Sequence, residues 1–266
     1  MTLEELDQAR AGDIIHVETP ANPTGEARNL AYYKQKAIAC GAHLSVNATF
    51  APPPLQDPIQ FGAGVINHSG TKYDGGHSDI LCGLLVVHPE REREGWVTTL
   101  KKYRAITGSV LDSFEAWLGI RSVRTLQLRF HRQADNALKL VQWLAEEMTK
   151  HNSVVRKTIE RVQHSSLKHD AIQEGWLVKQ MPGGHSPVFS FVMKIKLQAQ
   201  GLPSRMYIFQ HATSLGGVES LMEFRALSDT VCGECLIRVS CSIEEVKDLQ
   251  VNIFQGLQSV LKDSTI

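Results

Sequence analysis

The chain has 266 residues, 42% of them hydrophobic, enough apolar material for a well-buried core in one large domain or two small ones. Its 28 basic and 28 acidic residues cancel and form no long single-sign run, which removes any electrostatic reason to expect nucleic acid or an anionic membrane as partner. No apolar run approaches the roughly 18–20 residues of a spanning helix, residues 1–13 (MTLEELDQARAGD) are acidic and lack the apolar core of a secretory signal, and the five cysteines are odd in number and irregularly placed. These features predict a cytoplasmic protein without a disulfide framework.

Residues 13–18 (DIIHVE) read as a strand, and 26–40 as a helix with Leu30, Tyr33, Ala37 and Ile38 on one side. Further strands are expected at 42–49, 62–69 and 80–87, the last apolar at nearly every position, as for a strand covered on both faces. The strand–helix–strand order predicts a parallel sheet with right-handed crossovers. From residue 108 the pattern turns helical as far as 148, with a break expected near Gly119 and an apolar stripe through Val141, Leu144 and Met148. Strands are predicted at 154–162, 187–195 and 235–243. The final helix, 244–261, places Val246, Leu249, Ile253, Leu257 and Leu261 on one face and acidic residues in its first turn. The chain is thus expected to divide into an α/β part, 1–120, and an α+β part, 121–266. Cys232 and Cys235 form a CxxC without a second pair or histidines near it, so no metal site is expected, and Cys241 falls in an apolar run that reads as core.

In open parallel sheets, ligands bind past the carboxyl ends of strands. Here those ends carry Glu18, Thr19 and Asn22; Asn47 and Thr49; and His68, Ser69, Thr71 and Lys72. A partly desolvated lysine with a lowered pKa can condense with an aldehyde. Ser69 and Thr71 could bond a phosphate on the same ligand, and Gly75 and Gly76 would allow close backbone approach. Together these features suit pyridoxal 5'-phosphate, which acts as an electron sink for negative charge at an amino acid's Cα. The plainer alternative is an exposed loop lysine.

The stretch HSGTKYDGGHSD (68–79) resembles the cofactor-lysine motif of the Cys/Met-metabolism pyridoxal-phosphate enzymes, the trans-sulfuration group of cystathionine γ-synthase and γ-lyase. HVETPANPTG resembles that family's asparagine loop, and VNATFAPPPLQDPIQFGA the segment after its next strand. SLGGVESL (214–221) and LIRVSCSIEEVKDL (236–249) resemble its two C-terminal signatures. The short passage from ESLMEFRALSD to Arg238 is most similar to fungal γ-synthase-like members. The resemblance implies a fold type I, aspartate aminotransferase-like α/β fold. Residues 1–120 would be the remainder of a large cofactor-binding domain with a mainly parallel sheet and an incomplete N-terminal part, and 121–266 a small α+β domain.

It also implies roles. Lys72 would form the Schiff base with the cofactor and shuttle protons. Ser69 and Thr71 would bind its phosphate, and Asn47, Thr49 and Asn22 would complete the cofactor site. Arg238 would clamp the substrate α-carboxylate, with Asn22 and Ser214 also on the substrate side. The implied reaction is γ-substitution or elimination on an activated homoserine or a sulfur amino acid. The implied partners are that substrate and either further copies of the chain or a full-length homologue. The alternative function is a truncated, catalytically impaired homologue that acts as an interaction or regulatory partner.

Three departures from the family pattern stand out. Asn47 occupies the place of an aspartate that would pair with the pyridine nitrogen, so cofactor binding is expected to survive better than turnover. The family's upstream segment has no counterpart in the sequence. Asp74, two residues past the lysine, is expected to raise the Lys72 pKa if it faces the site. Arg238 lies in an apolar strand and calls for a carboxylate partner, whereas Ser214 could simply cap a turn before Gly216 and Gly217.

Overall fold

The computed structural model describes residues 6–229 and 231–263. Strands β1 (Ile14–Glu18), β2 (His43–Asn47), β3 (Val65–Ser69) and β4 (Gly83–Val87) form one sheet in that order. β1, β2 and β3 run parallel, as the crossover pattern predicts, and β4 returns antiparallel to β3. The β1–β2 crossover is helix α1 (Leu30–Cys40). It starts four residues later than the pattern suggested because Asn29 caps it, its Oδ1 accepting the amides of Ala31 and Tyr32 at 3.0 and 3.4 Å. Leu30 and Ala37 face the sheet, but Ile38 is 67% exposed and does not belong to that face.

The expectation for β4 fails. Gly83 through Val86 are all exposed, with Leu85 at 58%. The strand lies at an open sheet edge, so its apolar sequence does not reflect burial on both sides. Helices α2 (Trp96–Ile106) and α3 (Ser113–Val123) follow and expose Tyr103, Ile106, Phe114, Trp117 and Ile120.

The long helical stretch breaks at Arg124–Thr125 rather than at Gly119, which stays inside α3, before helix α4 (Leu126–Thr149). Buried Arg129 holds that break: Nη2 donates to Ser122 O at 3.0 Å and Nε to Thr125 Oγ1 at 3.1 Å. A lone glycine in a helix costs only about 1 kcal/mol and need not end it. Residues 154–162 are not one strand. Ser153 caps a short helix, Val154–Thr158, by accepting the Val155 amide, and β5 (Ile159–Gln163) begins only after it.

The second sheet also contains β6 (Val188–Met193), β7 (Gln210–His211), β8 (Leu221–Phe224) and β9 (Leu236–Ser240), in the order β5-β6-β9-β8-β7. All its neighbours are antiparallel except the β7–β8 pair. Every residue of β6, β8 and β9 is buried. Leu140, Val141 and Leu144 of α4 and Leu249, Ile253 and Leu257 of helix α5 (Val246–Asp263) pack into the core of this sheet, with Met148 and Val246 at its margin. On α5 it is Val260, not Leu261, that completes the buried face.

A separate apolar core serves the first sheet. Between the two lies a third cluster that mixes Phe50, Leu55 and Tyr73 with Phe130, Val188 and Leu215. The carboxyl ends of β1–β3 and the loop before β8 meet beside it. All five cysteines are free and Cys241 is fully buried. Among the described residues no group of His, Cys, Asp and Glu could hold a metal ion, and no helix is long and apolar enough to cross a membrane.

Candidate active site at the sheet ends

Lys72 sits in the turn that follows β3. Its neighbour Tyr73 is fully buried and makes an edge contact with Phe130 at 4.6 Å between ring centroids. Arg129 Nη1 donates to the Tyr73 carbonyl at 3.1 Å, tying the turn to α4. From the other side comes Gly216, whose φ of +84° suits glycine. A Cβ there would stand 2.8 Å from the Lys72 carbonyl carbon, so only glycine lets the two backbones approach this closely. The lysine backbone is thus clamped between segments far apart in sequence.

The Lys72 amine donates to Ser214 Oγ at 2.9 Å. Burial, reinforced by the nearby Arg238 guanidinium, lowers the pKa of this amine below the ordinary lysine value. Asp74 does not oppose this shift. Its carboxyl lies toward His68 and Arg129, and burial raises its own pKa. The condition for Asp74 to raise the Lys72 pKa is therefore not met, and the amine is shifted down by burial and Arg238.

Lys72 opens onto a cavity of about 260 Å³ walled also by Glu18, Asn22, Asn47, Thr49, Ser69 and Arg238. Six of the eight residues singled out from the sequence thus line it: Lys72, Ser69, Asn47, Thr49, Asn22 and Arg238. Ser214 reaches its edge through the bond to Lys72. Thr71 does not line it, because its hydroxyl is turned to the Cys82 backbone, accepting the amide at 3.1 Å. A second, larger cavity of about 900 Å³ between the β3–β4 ribbon and α2 shares Asn47, Thr49 and Ser69 with the first.

The polar groups at the strand ends form a chain. Asn47 Oδ1 accepts from the Thr49 amide at 3.1 Å and from Thr49 Oγ1 at 2.6 Å, which fixes the amide orientation. Asn47 Nδ2 then donates to Glu18 Oε1 at 3.2 Å, and Glu18 Oε2 accepts the Asn22 amide at 3.0 Å. Thr49 Oγ1 also accepts the Ser69 amide at 2.9 Å, joining the ends of β2 and β3.

Arg238 and Glu223 stand directly opposite each other in the β8–β9 register. Both are buried, at 3% and 2% exposure, and Arg238 Nη2 lies 2.5 Å from Glu223 Oε2. Nη2 also donates to the Thr213 and Ser214 carbonyls, and Nη1 to Asn22 Oδ1 at 3.1 Å. Arg238 thereby connects the asparagine after β1 to the serine that accepts from Lys72.

Glu223 is the carboxylate partner that the charged residue in an apolar strand called for, although the sequence did not name it. The available signal was a lone acid within LMEF at cross-strand distance from a lone arginine within LIRVS. Glu18, which the sequence placed at a strand end without assigning it a role, also lines the cavity, as does Arg225, which the sequence reading missed.

Residues 4–258 match the family described as Cys/Met metabolism PLP-dependent enzyme. A cystathionine gamma-synthase of Mycobacterium leprae is 33% identical over 96% of this chain, which spans 66% of that protein's length. The crystal structure of metB from Corynebacterium glutamicum superposes with a TM-score of 0.84 at 30% identity, over 97% of this chain and 66% of the other. That of a cystathionine gamma-lyase from Lactobacillus plantarum, complexed with L-serine, gives 0.81 at 27% identity, over 94% of this chain and 64% of the other. About a third of each relative therefore has no counterpart in these 266 residues. With fold type I neighbours and a lysine-centred cavity at the strand ends, the chain belongs to the Cys/Met metabolism PLP-dependent enzyme family, the group that includes the trans-sulfuration enzymes.

Proposed function

We propose that the chain binds pyridoxal 5'-phosphate through Lys72 and acts on an amino acid in a γ-substitution or elimination of the trans-sulfuration type. The observation that carries this reading is the Lys72 amine, its pKa lowered by burial, held by Ser214 in a cavity shared with Arg238. The residues present suit the cofactor: an amine for its aldehyde, the hydroxyls of Thr49 and Ser69, and the amides of Asn22 and Asn47, all on one cavity wall. Thr71 would contribute to the phosphate site only after releasing Cys82. Bound there, the cofactor supplies an electron sink for charge at the substrate Cα.

The chain's own groups do the rest. Lys72 holds or moves a proton at the substrate Cα, with Ser214 Oγ fixing where its amine points. Arg238, its Nη2 held by Glu223 and two carbonyls, would meet the α-carboxylate with its remaining donors, which Asn22 orients by accepting from Nη1. Asn47 offers an N–H rather than a carboxylate, so it supplies no negative charge to the cofactor ring, which favours binding over turnover. In this reading residues 1–120 are the remainder of the cofactor domain and 121–266 the small domain. The L-serine carried by the Lactobacillus plantarum neighbour supports an amino-acid substrate.

The test is to incubate the protein with pyridoxal phosphate, reduce with borohydride and map the adduct by peptide mass spectrometry. A single adduct on Lys72 is expected; labelling confined to other lysines sinks the reading. The exposed apolar residues of β4, α2 and α3 also support assembly of this chain with itself or with a longer family member. For self-assembly, sedimentation should give a mass above the 29.6 kDa of one chain.

A further inference from the structure

Two histidines packed together outside the cavity have no part in the reading above. His164 follows β5, is 1% exposed, and caps the turn Ser165–Leu167. Its Nε2 faces the Ser186 carbonyl at 2.9 Å, so that nitrogen carries the proton. Nδ1 is then the acceptor, for Ser166 Oγ at 2.8 Å and for the Ser166 amide at 3.4 Å. The half-buried His185 ring lies 5.6 Å away between centroids, with its Nδ1 2.9 Å from Ser165 Oγ.

The neutral ring of His164 is the form that satisfies both sides. A second proton would turn Nδ1 into a donor aimed at an N–H, beside another imidazole. Burial lowers the pKa of both rings, that of His164 to about 4. The charged groups on the surrounding segments are otherwise occupied. Glu26 pairs with Lys168 at 3.8 Å and Glu160 of β5 with Arg161 at 2.9 Å, while His169 and Asp170 open the next short helix. None of them shifts either ring, and β6 carries no titratable residue.

This turn holds the loop between β1 and α1. The Ser165 amide donates to Gly25 O at 3.2 Å. Gly25 has a φ of +70°, and a Cβ there would overlap the Val188 carbonyl and stand 3.4 Å from His164 Cδ2, so the loop tip lies flat against the ring. The tip closes on itself, Gly25 N donating to Ala21 O at 2.8 Å, and it carries Asn22, the acceptor for Arg238. The loop ends are tied elsewhere, Gln56 Nε2 donating to Thr19 O at 3.0 Å and Gln180 Nε2 to Arg28 O at 2.9 Å. The tip can therefore come away while its ends stay fixed, at the further cost of the 2.6 Å bond from Ser190 Oγ to Pro23 O.

We propose that His164 and His185 form a pH-sensitive latch on this loop. A proton taken from solvent onto His164 Nδ1 frees the turn from Gly25, and the tip then carries Asn22 away from Arg238. The cavity wall is fastened at neutral pH and loosens in mild acid, whichever ligand the cavity takes.

Hydrogen exchange of the full chain, read by mass spectrometry and corrected for the intrinsic effect of pH, tests the latch without any ligand. With a pKa of 6.5 in the released state and about 4 in the latched one, the opening constant should rise about twentyfold from pH 7 to pH 5. The rise is expected in peptides spanning 21–26 and 163–167, at rates unaffected by low urea, as for local opening. Exchange in β9 should stay slower and steepen with urea. His164→Gln, which can still donate to Ser186 O, should lose most of the rise.

Wild-type exchange in those peptides that does not change with pH overturns the proposal, whether or not the variant folds. So does exchange that matches β9 in rate and urea dependence, because release would then be global unfolding. A full rise retained in folded His164→Gln overturns it as well.

Discussion

Replacing Glu223 with glutamine tests the electrostatic centre of the site. Glu223 and Arg238 are almost wholly buried and 2.5 Å apart. Removing one member of such a pair leaves an uncompensated charge in a poorly polarisable interior, at about 3–5 kcal/mol. The lower end applies here, because the Gln oxygen still accepts a hydrogen bond and Asn22, Thr213 O and Ser214 O continue to solvate the guanidinium. For a chain of this size, about 3 kcal/mol corresponds to a fall in melting temperature of roughly 6–12 °C.

Differential scanning calorimetry of wild type, Glu223→Gln, Arg238→Met and the double variant measures both the loss and its origin. If the loss comes from the orphaned charge, Arg238→Met added to Glu223→Gln should recover part of it. Melting of Glu223→Gln within about 2 °C of wild type would refute the reasoning. It would mean that the arginine remains hydrated or re-pairs with Glu18.

Acid should weaken the fold through His164. Burial, partly opposed by a bond to the Ser186 carbonyl, lowers its pKa from 6.5 to about 4. Because the folded pKa is the lower one, the unfolded chain takes up the proton first. The stability is fully present above pH 6.5 and is lost as pH falls toward 4, by about 3 kcal/mol in all. Urea midpoints of wild type and His164→Gln across that window check this, and equal slopes would remove His164 as the cause. At the open sheet edge, Leu85→Lys should lower the sedimentation mass of any self-assembled form, since a charge on an edge strand discourages pairing. An unchanged mass would place the interface elsewhere.

The parts legible in the sequence were those with local causes. Strand–helix–strand order gave the parallel β1–β3 segment. The Asn22, Asn47 and Lys72 positions followed from the rule that sites lie at strand ends. The failures were of a different kind. The β4 sequence GLLVV looks the same whether a strand is sandwiched or lies at an edge waiting for a neighbour, so its exposure was invisible. The break at Thr125 depends on Arg129, whose bond to the Tyr73 carbonyl reaches back 56 residues. Glu223 needed the register of β8 on β9, and Arg225 the turn that follows β8, before they became part of the site.

Phe50, Tyr73, Phe130, Val188 and Leu215 belong to one buried cluster, although they come from both sides of the molecule. The residue after the lysine is thus a shared keystone, and neither sheet can separate from the other without exposing it. Opening around Lys72 should therefore require nearly the full free energy of unfolding, placing its turn among the slowest-exchanging amides of the chain. The geometry between Lys72 and Ser214 is kept by the cooperativity of the whole fold rather than by the loop that carries the lysine.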